Sequence, residues 1–105
     1  MSKFDDVLSR YEMAVEREAV KSYEVNRYGN IINSIMDGAR YHGIAVLGKT
    51  IPDVDEVKDV SICVDMILSK VEPVKDTLVG TSYKELVKVS NTLNNFLIRN
   101  EKEGN

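Results

Sequence analysis

A chain of 105 residues has room for one domain around one core, and 43% hydrophobic with 30% charged residues is a composition that folds rather than stays disordered. A net charge of −3 gives no general electrostatic attraction to nucleic acid or to acidic membranes. The single cysteine, Cys63, excludes an internal disulfide, residues 1–6 lack the apolar core of a signal peptide, and no apolar run approaches the roughly 20 residues that span a bilayer. The expected location is the cytoplasm, the host's for a viral protein.

From Ser2 to Asp37 apolar residues recur at steps of three and four: Phe4, Leu8, Tyr11, Val15, Val25, Ile32 and Met36, continuing to Ala39. Val7, Ala14, Tyr28 and Ile35 widen the stripe into a face that must be covered. The pattern predicts one long N-terminal helix, or two helices joined near Gly29. Ser2 with Asp5 and Asp6 supplies a start, and Asp37-Gly38 a stop. Unbroken, such a helix is about 50 Å long at 1.5 Å per residue. A compact chain of this size has a radius of gyration of roughly 13 Å and is only about 35 Å across. Either the helix breaks or its excess packs on a second copy, so self-association through the N-terminal helix is expected. The stretch Glu16–Glu24 is polar, with Glu18 and Ser22 at stripe positions beside Arg17 and Lys21. It is either a solvated span or a polar layer that fixes the register of a helix seam. Asp6 and Arg10, four apart in the favourable order, should pair.

Residues 38–50 read as an irregular connector. Ile44–Leu47 is a continuous apolar run bounded by Gly43 and Gly48, and it suits a buried strand, an extended core segment or a helical turn. A further helix is expected from Thr50, which with Asp53 approximates a capping box, and Pro52 is tolerated in a first turn. Val54, Val57, Val60, Val64, Ile67, Leu68 and Val71 follow the helical period. Ile62, Cys63 and Met66 add a second apolar side, which makes this the most buried helix and buries the Cys63 thiol. Val60–Val64 alone would also permit a strand. Pro73 ends or kinks the helix, since Val74 and Leu78 continue the stripe, and Gly80 closes the piece. Ser82 with Glu85 is a capping box for the last helix, whose face is Leu86, Val89, Leu93, Phe96 and Leu97. The fold class is all-α: a single-domain bundle of three to four helices with a long N-terminal helix and one irregular connector at about 38–50.

Gly43-Ile44-Ala45-Val46-Leu47-Gly48-Lys49-Thr50 matches the phosphate-loop pattern G-x-x-x-x-G-K-[ST] letter for letter. In that motif backbone N–H groups wrap the phosphates, lysine neutralises them and a helix begins beside them. The context argues against it here. No buried strand precedes the glycines, Ile44–Leu47 favours burial, and the chain has no room for the parallel sheet such enzymes need. A weaker reading keeps an anion or nucleotide site on Arg40, Tyr41, His42, Gly43, Gly48, Lys49 and Thr50. Three cationic or titratable groups bracket two glycines beside a helix start, and Tyr41 can stack on a ring. The plain alternative is a surface connector with incidental charge.

Glu56 and Asp59 have the i, i+3 spacing of one half of the paired acidic motifs with which some helical pyrophosphatases hold magnesium. Glu12, Glu16 and Glu18 do not supply the other half, so these acids read as first-turn residues stabilised by the helix dipole. His42, the one histidine, and Cys63 make neither a nucleophile–base pair nor a metal site. Basic residues are dispersed, and nucleic acid is not an expected partner. The profile (small, acidic, helical, without a catalytic set) is that of small regulators and phage-encoded inhibitors. The leading expectation is a non-enzymatic, self-associating binding protein that blocks a larger protein partner. The alternative is a small-molecule sponge that captures an anionic ligand such as a nucleotide at Arg40–Thr50. Neither calls for a cofactor or a metal.

Overall fold

A computed structural model describes residues 3–17 and 22–103. Within them the chain forms α1 (Lys3–Glu16), α2 (Ser22–Leu47), α3 (Val54–Val71), a 3-10 segment (Glu72–Thr77) and α4 (Ser82–Glu103), with no strand among the described residues. This is the all-α bundle that the periodicity predicts. Helix α2 is its centre, packing against α1, α3 and α4 in turn. α1 runs antiparallel to α2, with Tyr11 beside Gly29 and Arg17 beside Glu24. α3 and α4 are also antiparallel, since Ser61 meets Asn94 and Asp65 meets Ser90. α2 and α4 run side by side where Gly43 meets Val89 and Leu93.

The apolar stripe of the first third closes on itself. Leu8, Tyr11, Ile32 and Met36 join Val46, Val57, Val60, Val64, Ile67, Val71, Leu86 and Leu93 in one core, with Tyr11 only 1% exposed and Ile32 fully covered. α1 ends at Glu16, with Arg17 in a turn, and Gly29 is not a break. Gly29 lies inside α2 under the ring of Tyr11: a Cβ there would stand 3.3 Å from Tyr11 Cε1. The start at Ser2 and the polar positions Glu18 and Lys21 lie outside the described residues. The chain measures 56 × 24 × 19 Å, with a radius of gyration of 15.9 Å. α2 alone, at 26 residues, spans about 39 Å. The mismatch between helix length and globule size is met by an elongated molecule, and the face offered for a second copy is occupied within the chain.

Three further boundaries move. Gly38 does not stop α2, because nothing about its backbone is left-handed; Gly80, at φ 96°, is the one described residue that is. α2 continues to Leu47, so residues 38–47 are helix and the irregular connector shrinks to residues 48–53. Asp53, not Thr50, caps α3, its side chain accepting from the N–H groups of Asp55 and Glu56. α4 begins at Ser82 itself, so the cap position moves one residue back to Thr81, whose carbonyl accepts from the Glu85 N–H. Beyond α3, Pro73 ends the α-helical pattern without turning the chain away: the tighter 3-10 segment keeps Val74 buried.

α3 is buried on one side only. Val57, Val60, Ser61, Val64, Ile67 and Val71 face the core, whereas Ile62, Cys63 and Met66 are exposed. The expectation of a doubly apolar, most buried helix with a buried thiol fails there, because among the described residues no element covers that face. Polar groups set the register against α4. The Ser90 hydroxyl donates to Asp65 at 2.6 Å, the Asn94 amide donates to Ser90 at 3.3 Å, and the Ser61 hydroxyl donates to Asn94 at 3.1 Å. Ser61 and Ser90 are buried and bonded, as buried hydroxyls must be. α1 is fastened to the same body by Lys70–Asp5 at 2.7 Å and by the Tyr11 and Thr77 hydroxyls at 2.8 Å.

Candidate functional site at the junction of α2 and α3

The residues singled out from the sequence, 40–50, form the last two turns of α2 and the start of the connector. Helical geometry separates them. Gly43 is buried against α4, and a Cβ there would lie 2.6 Å from Val89 Cγ1. Its backbone faces a neighbouring helix, not solvent. The Gly48 N–H donates to the Ile44 carbonyl at 2.9 Å, prolonging the helical ladder. The two glycines therefore do not turn N–H groups toward one anion, and the nest of a phosphate loop is not formed. The connector after Gly48 holds Lys49 and Thr50, both exposed, and Pro52 precedes the cap at Asp53.

The charged members are engaged locally. Lys49 Nζ bonds Glu56 Oε1 at 2.6 Å, joining the connector to the first turn of α3. Both partners are more than a third exposed, so the pair is screened and contributes little to stability. The guanidinium of Arg40 stacks 4.6 Å from the centre of the Tyr41 ring, while its Nε is buried without a hydrogen-bond partner. Tyr41 and His42 are exposed. The arrangement thus brings Tyr41, Lys49 and Thr50 to one end of the bundle and removes Gly43 from it.

That end carries a feature the sequence reading missed. Ile51 in the connector is 85% exposed, and Tyr41 and Ile44 in the last turns of α2 and Val54 at the start of α3 are exposed as well. Ile98 belongs to the same end. Because Asn94 meets Ser61 across the antiparallel α3–α4 pair, a residue one turn beyond Asn94 lies level with the first turn of α3. The signal was present in the sequence. Extending the stripe of Ile32, Met36 and Ala39 by further steps of three and four reaches Gly43 and Val46, which leaves Ile44 and Ala45 on the outside. Reading Ile44–Leu47 as one apolar block hid this division.

The carboxylates at this end are structural in their contacts. Asp53 caps, Glu56 pairs with Lys49, and among the described residues no cluster of three histidine, cysteine, aspartate or glutamate side chains could hold a metal ion. No described helix is long and apolar enough to cross a membrane. A second charged locus lies in the groove between α1 and α2, where Arg10 bonds Asp6 at 2.9 Å, the ion pair expected from their spacing. Hydrogen bonds to Asp6 and then to the Tyr28 hydroxyl push the Arg10 pKa above its already high ordinary value, so the guanidinium is charged at every accessible pH. No protein-family model matches the chain, and no curated protein or solved structure shows detectable similarity to it.

Proposed function

We propose that the protein acts by binding rather than by catalysis, as a self-associating helical module whose contact surface is the α2–α3 end. The observation that supports this is the exposure of Tyr41, Ile44, Ile51, Val54 and Ile98, which belong to the elements that meet at this end of the bundle. Single exposed apolar residues are ordinary on any surface, but several at one end of a bundle suit an interaction site. Covering such side chains is favourable by roughly 25 cal/mol for each Å² removed from water. A net charge of −3 opposes the approach of a second copy only weakly. The end also offers both signs of charge at its rim, with Asp55 and Asp59 on α3 and Arg99 on α4. A two-fold contact can set these against each other. A regulator of this kind would occupy a larger partner through the same surface.

Sedimentation velocity across a concentration series tests the reading without knowledge of that partner. The unmodified chain should sediment as a species heavier than 11.8 kDa. Ile44→Glu combined with Ile51→Glu should return it to the monomer with unchanged helix content, since both side chains are exposed in the isolated chain. An unmodified chain that remains monomeric at the highest soluble concentration would refute the proposal.

A further inference from the structure

A hollow of about 250 Å³ lies where α1, the first half of α2 and the residues after the 3-10 segment meet. No carboxylate, ammonium or guanidinium group lines it. α2 contributes Asn26, Asn30 and Asn33, spaced four and three apart and therefore on one face, with their carboxamides about 6 and 4.5 Å apart along the axis. Tyr11 and Thr77 close the opposite side, and Val79, 82% exposed, stands at the rim.

The walls are fixed by the fold itself. Asn33 Nδ2 donates to the Val79 carbonyl at 2.9 Å and holds the loop against α2. The Thr77 hydroxyl donates to the Val74 carbonyl at 2.7 Å, so the 2.8 Å contact with Tyr11 has the Tyr11 hydroxyl as donor. The loop at Val79 and the Tyr11–Thr77 side are thus held before any ligand arrives, which lowers the cost of binding. Asn26 and Asn30 differ from Asn33. Among the described residues, no hydrogen bond ties either carboxamide to the fold. Asparagine is also a weaker helix former than alanine or lysine, so helix formation does not ask for it at these positions.

We infer that this hollow is a binding site for a small, uncharged, planar heterocycle of the nucleobase class. A carboxamide presents a donor and an acceptor side by side, and such a pair matches an edge carrying adjacent acceptor and donor groups, as adenine does. Leu78 and Val79 offer apolar side chains to the ring face. The absence of charge in the lining selects against a phosphate or carboxylate, which would lose water without gaining a counter-charge. The volume accommodates a single ring system. The site lies at the opposite end of α2 from the proposed contact surface and is independent of it.

The test is an NMR titration of the side-chain amide signals of Asn26 and Asn30 with adenine, with uracil and with adenosine monophosphate. It is run on the unmodified chain and on Asn30→Ala. Asn30 is exposed and alanine is the better helix former, so the variant keeps its fold and any loss reads on binding. Saturable shifts with a free base, weakened at least tenfold in Asn30→Ala and not strengthened by the phosphate, are the expected result. Three outcomes would overturn the inference: no saturable shift at millimolar base, a shift that Asn30→Ala leaves intact, or tighter binding of the monophosphate than of the base.

Discussion

Replacing each of two glycines in α2 by alanine should move stability in opposite directions. Gly38 is exposed, and a Cβ built there meets nothing within 4 Å. Gly43 is buried, and the same atom would meet Val89 Cγ1 at 2.6 Å and Leu93 Cδ1 at 3.5 Å. Alanine is favoured over glycine in a helix interior by roughly 0.8–1 kcal/mol. At Gly38 nothing opposes that gain, and the melting temperature should rise by roughly 4–8 °C per kcal/mol for a domain of this size. At Gly43 the gain meets an overpacking cost of typically 1–3 kcal/mol. Val89 is β-branched and held to essentially one rotamer on a helix, so its methyl cannot turn aside and the two helices must separate. Gly43→Ala should therefore be neutral to destabilising by about 2 kcal/mol. Val89→Ala removes the obstructing methyl, so the two sites should couple by about 1 kcal/mol in a double-mutant cycle. Urea unfolding followed by circular dichroism measures all four chains. If Gly43→Ala stabilises as much as Gly38→Ala, the close approach of α2 and α4 is wrong, and packing no longer accounts for this glycine.

Other substitutions probe single contacts by the same assay. Asp53→Ala removes the cap of α3 and should cost about 1 kcal/mol, whereas Thr50→Ala should cost almost nothing; the reverse order would restore Thr50 as the cap. Ser90→Ala breaks the bonds to both Asp65 and Asn94 at a buried position and should cost roughly 1–3 kcal/mol, and a neutral result would remove this network from the α3–α4 register. Val46→Asp places a carboxylate at a site 2% exposed and should abolish the cooperative transition, while a folded variant would contradict its place in the core.

The core was legible because burial repeats with the helix. Phe4, Leu8, Tyr11, Ile32, Met36, Val57, Val64, Leu86 and Leu93 all lie in or against one cluster. The boundaries were less legible, because Gly38 reads as a stop only in isolation. With Ala39, Gly43 and Val46 behind it, the stripe of α2 has enough apolar contact to carry the helix past a residue that costs about 1 kcal/mol. Gly43 illustrates the same limit from the other side. In sequence it opens a phosphate-loop pattern, and in the fold it makes room for Val89. Only a long-range contact, invisible in local spacing, tells the two apart. The exposed Ile62 and Met66 were assigned to the interior because hydrophobicity does not say how many neighbours a helix has. The apolar end at Ile51 escaped for a related reason: its members come from two helices, a connector and the far end of α4.

The seat of α1 gives the last prediction. From periodicity alone, the stripe through Tyr11 could cover its own chain or a second copy. In the structure Tyr11 is buried, its ring rests on Gly29, and its hydroxyl donates to Thr77 at 2.8 Å. Tyr11→Phe keeps the ring and deletes one hydrogen bond, for a net cost of about 1 kcal/mol. Thr77 is itself exposed, and water can replace the lost donor, which places the cost at the lower end of that scale. Tyr11→Ala also removes the ring from its place over Gly29 and should cost roughly 3–5 kcal/mol, the scale for truncating a buried aromatic. Thr77→Val also deletes the bond to the Val74 carbonyl, so adding Tyr11→Phe to it should cost no more than Thr77→Val alone, because the bond between the two hydroxyls is already gone. The seat is intramolecular, so the stability difference between Tyr11→Ala and the unmodified chain should be the same at every protein concentration. A contact with a second copy would make that difference grow with concentration, by mass action. A difference that grows in this way would move the Tyr11 face from the core of one chain to the interface between two.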